Sequence, residues 1–418
     1  MNHSENVDQD AVLRARTMLL GSGRLSLSQE VEAYRVLAKV SPAAYLPKLG
    51  SALVSYGYEV GDRGGQELRL ALHAEAVDTG RRIDAHEPQR TAVLCQALDA
   101  YQHTLFTVGR RAEAFTVCEE ITEVRRLGLE RGHGEGFTYV HERLRKVLAE
   151  EGRHAEAADI CGSDTASRGS KLCHSDMVEW AAELNAAGRH DEALTVFTEL
   201  VDDTRRKAEA DALPIAHLVW QLVHRSEMLD VAGRREEARA DRQEALMTLA
   251  RLAEQGESHG NSLTSWSTLF ALSGRAAEPG ASRDTPMPPF GADHHHWSPD
   301  TMESYLAAIP ALKMEVAELT AAGHRPEAVA AHHRLTRRTA IGQRGHHYRF
   351  EEKLRPLFDE GVALARRMPE APGASARALT DRSMFLVAAK RCDEAHADFA
   401  EAVALLDGMV PPSIVTRT

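Results

Sequence analysis

The sequence predicts an all-α protein built from stacked antiparallel helix pairs. Most of this prediction comes from one motif: a leucine, a glycine or lysine four residues later, and then a Glu-Ala pair. The motif occurs six times, and an arginine follows the turn residue in five of the copies. The composition agrees, because aromatic residues make up only 5% and helix-forming residues dominate. The copies are Leu105-Gly109-Glu113-Ala114, Leu148-Gly152-Glu156-Ala157, Leu184-Gly188-Glu192-Ala193, Leu229-Gly233-Glu237-Ala238, Leu319-Gly323-Glu327-Ala328 and Leu386-Lys390-Glu394-Ala395.

Each copy is typical of a tight turn between two helices. A glycine ends the first helix in the left-handed region at the least cost. The glutamate then falls in the first turn of the next helix, where its charge complements exposed N–H groups. The alanine lies where the second helix must approach the first closely. Pro326, three residues after Gly323, fits a first-turn position because its missing N–H costs nothing there.

The spacing of the turns predicts an array of helical hairpins. Between Gly109 and Gly233 the turn residues recur every 36 to 45 residues, a period typical of stacked helix pairs. Leu194, Phe197 and Leu200 follow the helical period and form one apolar stripe. A single hairpin cannot bury such a stripe, so it must stack on its neighbours. Gly274 and the arginine after it are interpreted as a decayed seventh copy.

Two repeats carry large, small and aromatic residues in a characteristic order. The residues are Met177, Trp180, Ala181, Leu184, Ala193, Phe197 and Leu200 in one repeat, and Tyr101, Leu105, Ala114, Cys118 and Ile121 in the other. In this order the chain resembles tetratricopeptide-repeat proteins of the long-repeat type common in actinobacteria. The resemblance covers roughly residues 40–275 and 300–408. It implies a right-handed superhelical α-solenoid whose concave face binds proteins or peptides.

The chain also departs from that family pattern. Its period exceeds the ~34 residues that are usual for these repeats. Arg242 and His332 occupy positions that are usually aromatic. The concave face does not match the Lys/Asn/Arg cluster with which some family members hold a C-terminal carboxylate, so binding of chaperone tails is disfavoured.

A stretch rich in Pro and Gly interrupts the predicted repeats. Within it, Glu278-Pro279-Gly280 and Pro286-Met287-Pro288-Pro289 cannot continue a helix. We therefore expect an N-terminal helical array over residues 1–273, a Pro/Gly/His-rich loop or linker over 274–299, and a C-terminal array over 300–418. The sequence is compatible with a hinge, a binding loop or a disordered linker in this stretch, although structureless loops of such length are uncommon.

The composition disfavours several classes of function. The net charge of −12 argues against binding nucleic acid through a general basic surface. No stretch approaches the ~20 apolar residues that span a bilayer, and residues 1–10 have no apolar signal segment. The cysteines show no Cys-x-x-Cys spacing, which favours a reducing, cytoplasmic location. They are Cys95, Cys118, Cys161, Cys173 and Cys392.

The candidate chemical motifs are weak. No phosphate loop, dinucleotide fingerprint or nucleophile elbow is present, so we expect no cofactor and assign no catalytic residue. The triplet His294-His295-His296 would alternate in direction in an extended loop and is therefore interpreted as solvated histidines, not a metal site. Cys161 and Cys173-His174 flank a polar loop, and a thiolate beside an imidazole can act as a nucleophile. Cys161 occupies an apolar position of its repeat, however, and is interpreted as a small core residue.

The sequence predicts a protein- or peptide-binding scaffold that uses the concave face of the repeats. Apolar pockets with a few polar anchors would take a peptide there, and exposed aromatic side chains at Phe106 and Trp220 would favour such a groove. Two alternatives are a regulatory protein that senses a small ligand or peptide, and an enzyme in which His217 and His224 line a closed cavity. The sequence makes no prediction of oligomeric state. The predicted inward-facing residues are His103, Phe106, Tyr139, Glu142, Lys146, Asn185, Trp220, Glu227 and Asp230.

Overall fold

A computed structural model describes residues 8–21, 25–132, 141–168, 173–256, 263–343 and 349–408, and the regular secondary structure of these ranges is helical, without a β-strand. The predicted all-α class is therefore confirmed for them. Short 3-10 turns occur at Arg275–Ala277 and His294–His296. The helices are α1 (Gln9–Leu20), α2 (Leu27–Val40), α3 (Pro42–Asp62), α4 (Gln66–Arg82), α5 (Arg90–Thr107), α6 (Arg111–Glu130), α7 (Glu142–Glu150), α8 (His154–Arg168), α9 (His174–Ala186), α10 (His190–Glu209), α11 (Ile215–Val231), α12 (Arg235–Gln255), α13 (Leu263–Ser273), α14 (Pro299–Ala307), α15 (Ile309–Ala322), α16 (Arg325–Gly342), α17 (Phe350–Ala365), α18 (Pro372–Ala388) and α19 (Cys392–Leu406).

Helices that are neighbours in sequence are also neighbours in space. Packing is sequential from α1 to α6, from α8 to α12 and from α15 to α19. This order is compatible with a helical repeat, because each antiparallel pair buries its apolar stripe against the next pair.

The turn that the motif predicts is found at every copy. The five glycines have φ between 74° and 78°, and Lys390 has φ 59°. A non-glycine residue seldom adopts this left-handed region. The six motif alanines are at most 2% exposed, as expected where two helices approach closely. The repeated glutamate lies in the first turn of the following helix in each case.

The arginine after the turn has a role that the sequence analysis did not identify. Arg189 precedes the first residue of α10, and its guanidinium reaches both carboxylate oxygens of Glu192 at 2.7 and 2.6 Å. In four of the five copies that have the arginine, it is the partner of the motif glutamate across the first helical turn, whereas Arg391 binds Glu351 instead. These pairs are exposed to solvent, where such bridges add little stability. Equivalent pairs are Arg110–Glu113, Arg153–Glu156 and Arg234–Glu237.

The chain divides into two compact units. Unit 1 comprises residues 1–147 with 298–300, and unit 2 comprises residues 148–297 with 301–418. Unit 1 has an apolar core between α2 and α7 that includes Leu53 and Leu98. The boundaries proposed above at residues 273 and 299 were drawn from composition alone and stay a prediction.

The largest apolar core of unit 2 extends from α8 to α19. Besides the sequential pairs, α12 packs on α19, α11 packs on α13 and α18, and α13 packs on α16. The last helices therefore close over α11, α12 and α13. This return of the chain places Arg377 of α18 in the wall of the first of the two cavities described below.

The stretch after Gly274 is packed into unit 2. Phe290 and Trp297 are buried in the core of the unit. Glu278 is buried and forms an ion pair with Arg338 at 2.6 Å, while the Tyr305 hydroxyl donates a hydrogen bond to the same carboxylate. These contacts fix the stretch at several points along its length.

No helix within the described ranges is long and apolar enough to cross a membrane.

Candidate functional site

The candidate site is a cavity of about 380 Å³ within unit 2, between α9, α10, α11, α13 and α18. We call it the first cavity. Its walls combine apolar side chains with polar and charged ones. The apolar members include Leu194, Phe197, Met228, Val231 and Leu272, and the polar members are Asn185, His190, His224, Glu227, Ser273, Arg275 and Arg377.

Helix α11 supplies one continuous face of this cavity. His224, Glu227, Met228 and Val231 follow the three- and four-residue spacing that places side chains on one side of a helix. On α9, Ala181 and Ala182 line the cavity one turn before Asn185. Because both are alanines, this wall leaves open space that larger side chains would fill.

A network of charged side chains forms the wall of the first cavity beside α18. The guanidinium of Arg377 lies 3.2 Å from Glu227 Oε1 and 3.4 Å from Asp381 Oδ1, and it donates to the carbonyl of Ser273 at 2.7 Å. On its other side Asp381 binds the imidazole of His333. These charge-assisted contacts between two carboxylates, a guanidinium and an imidazole fix the positions of the side chains in this wall.

The pKa values in the network follow from burial and neighbouring charge. Burial raises the pKa of Glu227, and the charge of Arg377 offsets only part of this effect. Burial also acts on Asp381, but His333 and Arg377 outweigh it and lower its pKa to about 2. Burial lowers the pKa of His333 in spite of the adjacent carboxylate. Asp381 is therefore ionised at neutral pH, and it accepts a hydrogen bond from the imidazole of His333.

Arg275, which follows the turn residue of the decayed motif copy, also lines the first cavity. It donates to the carbonyl of Ala182 at 2.9 Å and lies 3.6 Å from Glu183 Oε1. Its guanidinium also contacts the imidazole of His154 at 3.0 Å. In the intact copies the arginine binds a glutamate on the surface. Arg275 is followed by a 3-10 turn and not by an α-helix, and its side chain forms part of the cavity wall.

The two histidines of the enzyme hypothesis lie in different environments. His224 lines the first cavity and packs on the ring of Phe197, with centroids 5.0 Å apart. His217 is buried between the rings of His174 and Trp220, each 5.5 Å away, and is not part of the cavity lining. Burial lowers the pKa of both histidines to about 4. Both are therefore neutral at pH 7, and they do not form one histidine-lined site.

The predicted inward-facing residues of unit 2 have different locations. Asn185 and Glu227 line the first cavity together. Trp220 was expected to be exposed, and this expectation is wrong: it is 2% exposed, and its indole N–H donates to the carbonyl of Met384 at 3.2 Å. The return of α18 onto α11, which the repeat pattern does not encode, covers it. Asp230 is exposed and pairs with Arg242 at 2.6 Å.

Among the described residues, the predicted inward-facing positions of unit 1 are buried or half-buried. The expectation for Phe106 is wrong, because this ring is 1% exposed and the Arg111 guanidinium covers it at 5.2 Å. Lys146 is buried and binds Glu142 at 2.9 Å.

His103 is half-buried. Burial and the charges of Arg69 and Arg143 lower its pKa to about 4. The remaining predicted residue of unit 1, Tyr139, lies outside the described residues.

The local structure of the histidine triplet also differs from the expectation. His294–His296 form a 3-10 turn, and the rings of His294 and His295 lie 4.5 Å apart. The ligand atoms of Asp293 and these two histidines are all within 4.8 Å of one another, so they do converge. The Asp293 carboxylate accepts the backbone N–H of His295 at 2.9 Å. The aspartate therefore also caps the turn.

Taken together, fold and site define an all-α protein of packed helical hairpins with an amphipathic cavity that opens to solvent. Comparison with protein-family models and with curated proteins finds no match to this chain.

Proposed function

We propose that this protein is a protein- or peptide-binding scaffold that holds a peptide segment in the first cavity. The observation that supports the proposal is the composition of that cavity: apolar side chains of α10, α11 and α13 surround Asn185, Glu227 and Arg377. A peptide has apolar side chains, amide groups and charges in close succession, and such a wall complements all three. The volume of about 380 Å³ suits two or three side chains.

The proposal includes a finer classification of the fold. We interpret the sequential hairpins as a tetratricopeptide-like solenoid with a right-handed superhelical course, on the strength of the motif order and the left-handed turn residues. The cysteines, which show no Cys-x-x-Cys spacing, support a cytoplasmic location as part of the same proposal.

The test is a selection from a random peptide display library on the full chain, followed by affinity measurement. Ala276 is exposed and lines the first cavity, whereas Ala277 is exposed and is not part of that lining. An Ala276→Trp substitution should therefore weaken the selected peptides at least tenfold, and Ala277→Trp should leave them unchanged. Equal affinity of the two variants, or no selectable peptide, would overturn the proposal.

A second candidate function is a regulatory protein that senses a small ligand in the same cavity. The observation that favours it is the charged network behind the cavity, since Arg377 contacts groups from α11, α13 and α18. A ligand that binds Arg377 would act on three helices at once. In this case a small metabolite, not a peptide, should raise the thermal stability of the chain, and Ala276→Trp should abolish that rise.

A further inference from the structure

Unit 2 contains another cavity of about 310 Å³, between α16, α17 and α18. We call it the second cavity. Most of its wall is apolar, including Val329, Leu357, Phe358, Met368 and Ala374. Exposed Pro326 and Ala330 belong to its lining, so the cavity is open to solvent.

Most polar side chains of the second cavity are engaged with one another, while Nε2 of His332 is buried without a hydrogen-bond partner among the described residues. Asp381 binds His333 and lies 3.4 Å from Arg377. Thr336 and His332, which are both buried, lie within 3.4 Å of each other on successive turns of α16.

The charges in and behind this wall balance. Arg377 has both Glu227 and Asp381 as ionic partners, and the guanidinium of Arg337 lies against the ring of His333. In the buried part of the wall two arginines therefore face two carboxylates, and the neighbouring Glu360 is more than half exposed to solvent. A charged ligand would upset this balance in a partly desolvated site, where an unpaired charge is costly. A neutral ligand would not.

We propose that the second cavity binds a neutral, largely apolar small molecule with one hydrogen-bonding group directed to the polar wall. Its volume lies at the lower end of the range for small-molecule cavities and is about twice that of a cavity that binds benzene. The apolar wall supplies affinity through burial of the ligand, and the charged wall selects against ions. The proposal is independent of the function proposed for the first cavity.

The experiment is calorimetric titration of the full chain at pH 7 with 2-naphthol and with 2-naphthoate. The two compounds share one ring system, and only the second is an anion. We expect saturable binding of 2-naphthol at one site and at least tenfold weaker binding of 2-naphthoate. Equal affinity for the two compounds would overturn the predicted ligand class, and no saturable binding of 2-naphthol would overturn the site.

Substitutions in the cavity wall test whether 2-naphthol binds in the second cavity. Ala374 is half-buried and lines the second cavity, so Ala374→Phe should fill it and weaken 2-naphthol at least tenfold. Ala240→Phe, at an exposed position of α12, is the matched control and should bind normally. If Ala374→Phe does not fold, Val329→Trp fills the same cavity from α16. Loss of 2-naphthol binding in the first-cavity variant Ala276→Trp would place the ligand elsewhere and overturn the proposal.

Sedimentation velocity tests the other occupant, a second copy of the chain. We expect the sedimentation coefficient of wild type and of Ala374→Phe to be the same. A wild-type dimer that Ala374→Phe converts to a monomer would show that a second chain covers the cavity, and would overturn the small-molecule site.

Discussion

The guanidinium of Arg337 occupies the space that a side chain at position 274 would need. A Cβ atom built on Gly274 would lie 1.4 Å from Arg337 Cζ. Arg337 is fully buried, and it contacts the carbonyl of Gly274 at 3.3 Å and the ring of Phe270 at 5.6 Å. Gly274 has φ −100°, so close packing and not the left-handed region requires glycine here.

The first prediction concerns Gly274→Ala. Because the new methyl group would displace a buried, engaged arginine, we expect a loss of roughly 3 kcal/mol in the free energy of unfolding. Urea denaturation followed by circular dichroism measures it. Gly188→Ala is the control: its φ is 78° and no atom lies within 4 Å of the added Cβ. That variant should lose only about 1 kcal/mol, and equal losses would contradict the packing argument.

The second prediction concerns Lys390, the one motif copy without glycine. Lys390 is exposed and has φ 59°, which strains a residue with a Cβ. We expect Lys390→Gly to raise the free energy of unfolding by about 1 kcal/mol and to raise Tm. The reverse change, Gly188→Lys, should lower both by a similar amount. A fall in Tm for Lys390→Gly would show that the lysine side chain stabilises the turn by other contacts.

Much of the local structure was predictable, because it depends on residues close together in sequence. Gly188, Glu192 and Ala193 predicted a turn, a first-turn charge and a close contact, and all three are found. The return of α18 onto α11 was not predictable from the repeat, since it joins residues such as Trp220 and Met384 that are far apart in sequence. The sequence analysis identified Asn185 and Glu227 but missed Arg275 and Arg377.

A signal for one missed residue was present in the sequence. Arg275 follows a motif glycine but has no Glu-Ala pair after it. In four intact copies that glutamate neutralises the arginine at the surface. Arg275 stands at the same position after the turn but has no motif glutamate to bind. Its guanidinium lies near Glu183 instead and forms part of the cavity wall. No comparable sequence signal identifies Arg377. Its helix, α18, lies beside the cavity only because of the tertiary fold.

The third prediction concerns acid stability and His217. Its pKa is about 4 because it is buried, against 6.5 when it is exposed. The unfolded chain therefore takes up a proton near pH 6.5 while the folded chain does not, and stability is lost as the pH falls towards 4. Between pH 7 and pH 5 this one group accounts for about 2 kcal/mol. Other buried histidines, including His73 and His174, act in the same direction.

We expect His217→Phe to reduce this acid sensitivity by about that amount. Both ring nitrogens of His217 are buried without a hydrogen-bond partner among the described residues, so the variant should also gain about 1 kcal/mol at pH 7. Urea denaturation at pH 7, 6 and 5 measures both effects. His86→Phe, at an exposed position, should leave the pH dependence unchanged. The same slope in wild type and His217→Phe would show that His217 does not contribute.

The last prediction concerns two acidic residues on neighbouring turns of α11. Glu227 lines the first cavity, while Asp230 is exposed, pairs with Arg242 and is not part of that lining. Glu227→Gln keeps the shape of the side chain and removes its charge, so selected peptides with a basic residue should bind about five- to tenfold more weakly. Their affinity should then depend less on salt, because one charge pair is lost. Asp230→Asn should change neither quantity. If both variants weaken peptide binding equally, the effect comes from the total negative charge of α11. Glu227 is then not an anchor of the bound peptide.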